Sequence, residues 1–273
     1  MKIAVLGSTG MLGWAVGNYM IKKYGEENVW LSNRDFDKSY AKNTFYFDPL
    51  NVELSTARPD GIPPCDVLLN AIGIIKPHVM KDPAVAIQVN SVFPWKLAAF
   101  CKHWGTNLIH ITTDCIYDGA KGHYTEDDPH TCNDFYGKSK SLGEPNNCMV
   151  LRTSIIGEEA YHQSSLIEWA KSQKGQKVMG FTNHLWNGVT TLQYAKICSQ
   201  IIDNGLYQDE LFHVYSNEVT KEQLLHLISD RFNLELDIGP VEATEPINRT
   251  LSTIKTLNSK LNIPVLSQQI SEM

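Results

Sequence analysis

No stretch of this chain approaches the roughly 18 consecutive apolar residues that a membrane span requires, and the apolar run at the N-terminus ends at Gly7, too early for a secretory signal. Cysteine is sparse. The six thiols, at positions 65, 101, 115, 132, 148 and 198, form no Cys-x-x-Cys pair and no cluster with histidine at metal-ligand spacing. No metal site is expected, and reduced thiols in a cytoplasmic protein are the simplest account. Basic runs are absent and the formal net charge is −6. Nucleic acid and an anionic membrane are therefore not the expected partners, and an anionic ligand has to be met by local donors. There is no internal repeat and no low-complexity segment.

What is present is an ordinary globular composition, 42% hydrophobic and 20% charged, over 273 residues. That length suits one large α/β domain, alone or with a smaller lobe. Residues 2–6, 29–31, 66–70 and 107–112 are short apolar runs that read as strands buried on both faces. Between them, Leu12 to Tyr24 and Val85 to Trp104 carry apolar residues at helical spacing, with Pro94 marking a kink or restart. Strand and helix alternate, which predicts an α/β fold, a Rossmann-like doubly wound parallel sheet, over residues 1–154. After Leu151 no such series continues. Leu166 to Lys174 and Glu222 to Asn233 read as amphipathic helices, with Gly180 to Asn183 as a polar loop. Residues 155–273 are expected to form a smaller α+β substrate lobe, with 188–205 packing back on the first domain.

The chemistry gathers at strand ends. Gly7-Ser8-Thr9-Gly10-Met11-Leu12-Gly13 follows the first strand and opens the first helix, so backbone N–H groups approach a pyrophosphate where the helix dipole favours negative charge. At the end of the second strand stand Asn33, Arg34 and Asp35. Arg34 suits a 2′-phosphate and favours NADP(H), while Asp35 suits the ribose hydroxyls of NAD(H). Asp48 closes the next apolar stretch, as an adenine contact or a plain loop aspartate. Tyr136 and Lys140 are four residues apart on one helical face, where the ammonium is expected to lower the phenol's pKa so that it exchanges a proton with a substrate oxygen. Thr113, ending the fourth predicted strand with Thr112, offers a hydroxyl to a reacting carbonyl.

These motifs resemble those of one family. The glycine loop, Asn70-Ala71-Ile72-Gly73, Asn90, residues 112–119, residues 124–129, Tyr136 to Lys140 with Gly143-Glu144, and Leu151-Arg152-Thr153-Ser154 are similar to dTDP-4-dehydrorhamnose reductase and its relatives in the extended short-chain dehydrogenases. The resemblance implies NAD(P)H-dependent reduction of the 4-keto group of a nucleotide-linked 6-deoxyhexose, for deoxysugar biosynthesis. It makes Tyr136 the proton donor, Lys140 the holder of the nicotinamide ribose and Thr113 the binder of the C4 oxygen. Asn70, Ala71, Ile72, Gly73, Asn90, Thr112 and Thr153 fall on its cofactor side. Arg249 falls in its C-terminal substrate segment, facing a diphosphate or standing as a solvated surface arginine. A homodimer is left open.

The resemblance thins after Ser154. Ile155-Ile156-Gly157 and Asn183 to Thr191 replace the family's usual substrate loops, with Trp186 as either a flat platform for sugar or base or a core tryptophan. Cys115 stands where a dehydratase carries a carboxylate, which disfavours dehydration. It coincides with a cysteine that GDP-fucose synthase uses for epimerisation, but His162, the nearest partner acid, is out of position. An epimerase-reductase and a non-catalytic NADP-binding regulatory subunit are the alternatives.

Overall fold

The computed structural model describes residues 1–34, 41–52, 54, 61–161 and 163–273. Seven parallel strands, β1 (Ile3–Leu6), β2 (Val29–Asn33), β3 (Thr44–Tyr46), β4 (Val67–Asn70), β5 (Asn107–Thr113), β6 (Met149–Thr153) and β7 (Leu211–His213), form one sheet in the order β7-β6-β5-β4-β1-β2-β3. The order reverses beside β1, the switch point at which a doubly wound sheet opens a crevice at its carboxyl edge. Strand parity fixes the two faces. Ile3 and Val5 pack on one side with Leu12, Val16 and Met20, and Ala4 and Leu6 pack on the other with Phe93, Leu97 and Phe100.

Helices α1 (Met11–Tyr24), α2 (Pro83–Trp104), α3 (Phe135–Ser141) and α5 (Thr191–Asp203) lie against the sheet and its edge, while α4 (Leu166–Ser172) and α6 (Lys221–Phe232) belong to the smaller lobe. Two segments from the later part of the chain join this layer. Helix α5 lies on α1, its Ile197 and Ile201 in the cluster of Val16 and Met20, and β7 extends the sheet beyond β6. Pro94 marks a restart within α2, standing in the first turn of the α-helical stretch that resumes at Phe93. The helix widens into a π turn over Gln88–Val92 just before it, which accommodates a ring that lacks an N–H to donate. At 22 residues α2 is long and apolar enough to cross a membrane by length and composition alone, yet its Phe93, Leu97, Ala98 and Cys101 are buried against the sheet.

The smaller lobe has its own core of Ile156, Ile167, Trp186, Leu224, Ile228 and Ile270. Residues read as a polar loop from Gly180 turn out to begin in a strand, Lys177–Phe181, paired in parallel with Asp237–Val241. Burial alternates along it, Val178 in and Met179 out, and Gly180 is required because a Cβ there would lie 2.7 Å from the Glu222 Cα on α6.

Candidate active site

A cleft of about 1220 Å3 runs along the carboxyl ends of β1, β2, β4, β5 and β6. At its first wall Gly7 holds φ +78°, a left-handed conformation that side chains disfavour. A Cβ on Gly13 would stand 2.0 Å from the Gly7 carbonyl, so only glycine lets α1 start this close to β1. The loop is tied to β2 by Gly7 N–H donating to Ser32 Oγ (2.8 Å) and Ser8 Oγ donating to the Ser32 carbonyl (2.6 Å).

Of the residues named from the sequence, Gly7, Thr9, Gly10, Met11, Leu12, Asn33, Arg34, Asp48, Ala71, Ile72, Gly73, Thr112, Thr113, Cys115, Tyr136, Lys140 and Thr153 line the cleft. Ser8, Gly13, Asn70 and Asn90 stand behind it. Asn70 bonds His110 Nδ1 (3.0 Å) and takes the Ile72 N–H (3.1 Å), and Asn90 clasps Ile74 through both N–H (2.8 Å) and carbonyl (2.9 Å). They shape the wall rather than form it. Asp35 and His162 lie outside the described residues. Trp186 is not a platform in the cleft. It is buried in the smaller lobe's core, with the Lys221 ammonium 5.1 Å above its ring. Arg249 is absent from the lining and is not a free surface arginine either, because its Nε donates to the Tyr117 carbonyl (2.8 Å).

Sequence reasoning passed over Ile74, Ile75, His78 and Lys81 on one wall, and Glu159, Gln163 and Ser164 on the other. The Glu159 carboxylate accepts the N–H groups of Ser164 (2.7 Å) and Ser165 (2.9 Å) and so folds that wall inward. These residues sit in loops without periodicity, and only the fold brings them to the cleft.

At the inner end stand Thr113, Tyr136 and Lys140. Asp134 caps α3 by accepting the Gly137 N–H (2.8 Å), which fixes where the tyrosine and lysine emerge. Lys140 is buried, and burial lowers its pKa to about 8, with Glu144 pulling the other way. Its Nζ donates to the Ile111 carbonyl (3.2 Å). The expected lowering of the phenol's pKa is not what the structure holds. Burial, then Cys115, Asp114 and Asp134, raise Tyr136 above the ordinary phenol range, against a lowering hydrogen bond from Thr113. Burial and the adjacent Asp114 likewise push the Cys115 thiol up to about 12.

The residues present fit a nicotinamide dinucleotide. The glycine loop leaves a cradle that side chains would fill, and Thr112 Oγ1 is buried at the cleft with no hydrogen-bond partner among the described residues. Arg34 is exposed at the β2 end and lines the cleft, as does Asp48.

A family model described as the RmlD substrate binding domain matches residues 1–269. The chain is 28% identical over 250 residues to methionine adenosyltransferase 2 subunit beta of Rattus norvegicus, spanning 85% of this chain and 72% of that one. It is 30% identical over 148 residues to the probable low-salt glycan biosynthesis reductase Agl14 of Haloferax volcanii, spanning 50% and 49%. Among solved structures, dTDP-4-dehydrorhamnose reductase from Bacillus anthracis in complex with NADP has the same fold, with a TM-score of 0.75 at 16% identity, covering 100% of this chain and 98% of that one. The chain thus belongs to the RmlD substrate-binding-domain family, the dTDP-4-dehydrorhamnose reductase family of extended short-chain dehydrogenases, which is a family of sugar-nucleotide reductases.

Proposed function

We propose that this protein reduces the 4-keto group of a nucleotide-linked 6-deoxyhexose with NADPH. The observation that carries the reading is the meeting of Thr113, Tyr136 and Lys140 at the inner end of a cleft whose other end is the glycine loop. The bound nicotinamide supplies a hydride. Tyr136, held in its protonated form, gives its proton to the oxygen of the carbonyl being reduced, which suits reduction better than oxidation. Lys140 keeps a positive charge beside the reacting groups while the phenol loses its proton. A solution of the protein with NADPH and a dTDP-linked 4-keto-6-deoxyhexose is expected to lose NADPH absorbance. No loss with any 4-keto nucleotide sugar would sink the reading.

Lys140 sets the alkaline limit. With its pKa lowered to about 8, the ammonium is charged below that pH and neutral above it. The rate is therefore expected to fall as pH rises through about 8, and a kcat flat to pH 10 would show that the charge is not needed. Arg34 supports the preference for NADP(H), since its guanidinium fork matches phosphate oxygens. Arg34→Ala is expected to raise the Kd for NADPH by about tenfold, the worth of one charge-assisted contact, and to leave NADH nearly unchanged. Equal effects on the two, read by fluorescence titration, would remove Arg34 from the choice. The thiols of Cys101, Cys115, Cys132, Cys148 and Cys198 support a reducing compartment, the cytoplasm.

The likeness to methionine adenosyltransferase 2 subunit beta favours a second reading, a cofactor-binding subunit of another enzyme. Retention of the protein's cellular role in Tyr136→Phe, with no turnover by the wild type, would select it. The epimerase reading draws no support from Cys115, whose thiol keeps its proton at neutral pH.

A further inference from the structure

The hydrogen-bond arithmetic at Thr113 is at odds with the role that the family resemblance gives it. A threonine hydroxyl has one proton and two lone pairs. The Thr113 proton goes to Asp114 Oδ1 (3.1 Å), and one lone pair takes the Cys115 N–H (3.1 Å). The second lone pair faces no other donor among the described residues, and Tyr136 stands beside the same hydroxyl. While Asp114 is ionised, Thr113 therefore has no proton to offer a substrate oxygen.

We infer that Asp114 is a positioning residue whose carboxylate decides whether Thr113 donates to the substrate's carbonyl oxygen or only accepts from its neighbours. The inference rests on the carbonyl-reductase reading of the site. When Asp114 takes up a proton, its own O–H donates to Thr113 Oγ1, and the Thr113 proton turns toward the cleft. No bond to carbon changes, and the proton that Asp114 gains comes from solvent through the cleft that it lines.

The surroundings set that proton's affinity from every side. Asp114 is buried, which favours the protonated form. Arg249, following the strand Ile247–Asn248, and Lys221, the first residue of α6, favour the carboxylate, as do the hydrogen bonds from Thr113 and Cys115. Tyr136 on α3 faces it as a neutral phenol. Both cations come from the smaller lobe.

Two measurements test this. In protein labelled with 13C at aspartate carboxyls, with Asp114 assigned through Asp114→Asn, Thr113→Val is expected to raise the Asp114 titration midpoint by about one pH unit, the worth of one hydrogen bond to a carboxylate. Thr113→Ser is expected to restore it. A midpoint unmoved by Thr113→Val overturns the inference, whether or not the protein turns over. In turnover with NADPH and a dTDP-linked 4-keto-6-deoxyhexose, wild-type kcat is expected to fall as pH rises through that midpoint, by on the order of 10²-fold for one lost donor. Asp114→Asn is expected to abolish that fall, with KM little changed, and to have no further effect on a Thr113→Val background. A wild-type profile that keeps its shape in Asp114→Asn overturns the inference. Failure of every protein to consume NADPH would instead refute the reductase reading and leave the carboxyl titration to decide on Asp114.

Discussion

Tyr136→Phe is expected to lower kcat for NADPH-dependent reduction by about 10²–10⁴-fold, the range for loss of a positioned proton donor, while KM and the unfolding midpoint stay close to wild type. The phenol is half-buried at the cleft beside Thr113, which keeps Asp114 and the Cys115 N–H as partners when the phenol is gone. The stability cost is then that of one ordinary hydrogen bond, about 1 kcal/mol. A rate within threefold of wild type would show that the proton comes from elsewhere. A fall in KM alongside kcat would instead point to strain released in the bound substrate.

Arg152→Met is expected to have the larger effect on stability, about 3–5 kcal/mol by urea denaturation, because it strands a buried carboxylate. Arg152 is 1% exposed and all five of its N–H groups are used. Nε and Nη2 hold the two Glu144 oxygens (3.1 and 2.7 Å), Nη1 reaches the Tyr117 hydroxyl (2.6 Å) and His213 Nε2 (2.7 Å), and Nη2 also meets His130 Nε2 (3.0 Å). Methionine fills the volume and satisfies none of these. Adding Glu144→Gln should recover part of the loss, and a single-variant loss below about 1 kcal/mol would show that Glu144 finds water or another cation.

The same variant changes the response to acid. His213 Nδ1 donates to the carbonyls of Tyr124 and Ser252, so Nε2 accepts from Arg152 and the ring is neutral. Burial, then Arg152, lower its pKa to about 4 from the ordinary 6.5. The unfolded ring takes a proton below 6.5 that the folded ring refuses, so this contribution is full above pH 6.5 and is lost as pH falls toward 4. Without Arg152 the refusal weakens, and the wild type's advantage should narrow across that window.

The parts of the fold with strong local signals were legible. Short apolar runs ended by glycine or asparagine mark β1 and β4, and the glycine loop between β1 and α1 locates one wall of the cleft. Strand β7 was not legible as a strand, because three residues ending in His213 carry no periodicity and its pairing with β6 is set by contacts with Arg152 and Glu210. Trp186 and Arg249 had two readings each in sequence, and packing across more than 30 residues decided them, Lys221 covering the one and the Tyr117 carbonyl holding the other. The direction of the Tyr136 shift was missed for a similar reason. Spacing shows that Lys140 is near, but not that its ammonium turns to Ile111 or that burial outweighs it.

The Arg152 network also bears on how the chain can be made. His213 follows Arg152 by 61 residues, so at ribosomal rates of roughly 5–20 residues per second the guanidinium waits roughly 3–12 s for that ring. Glu126 waits longer, since its partners Thr253 and Ile254 lie 127 and 128 residues downstream. A nascent chain stalled anywhere before that segment carries an uncompensated polar cluster under its sheet. The cofactor half, although written first, is therefore not completed until Ile254 has been made, and its unfinished form is exposed to chaperones and proteases during synthesis.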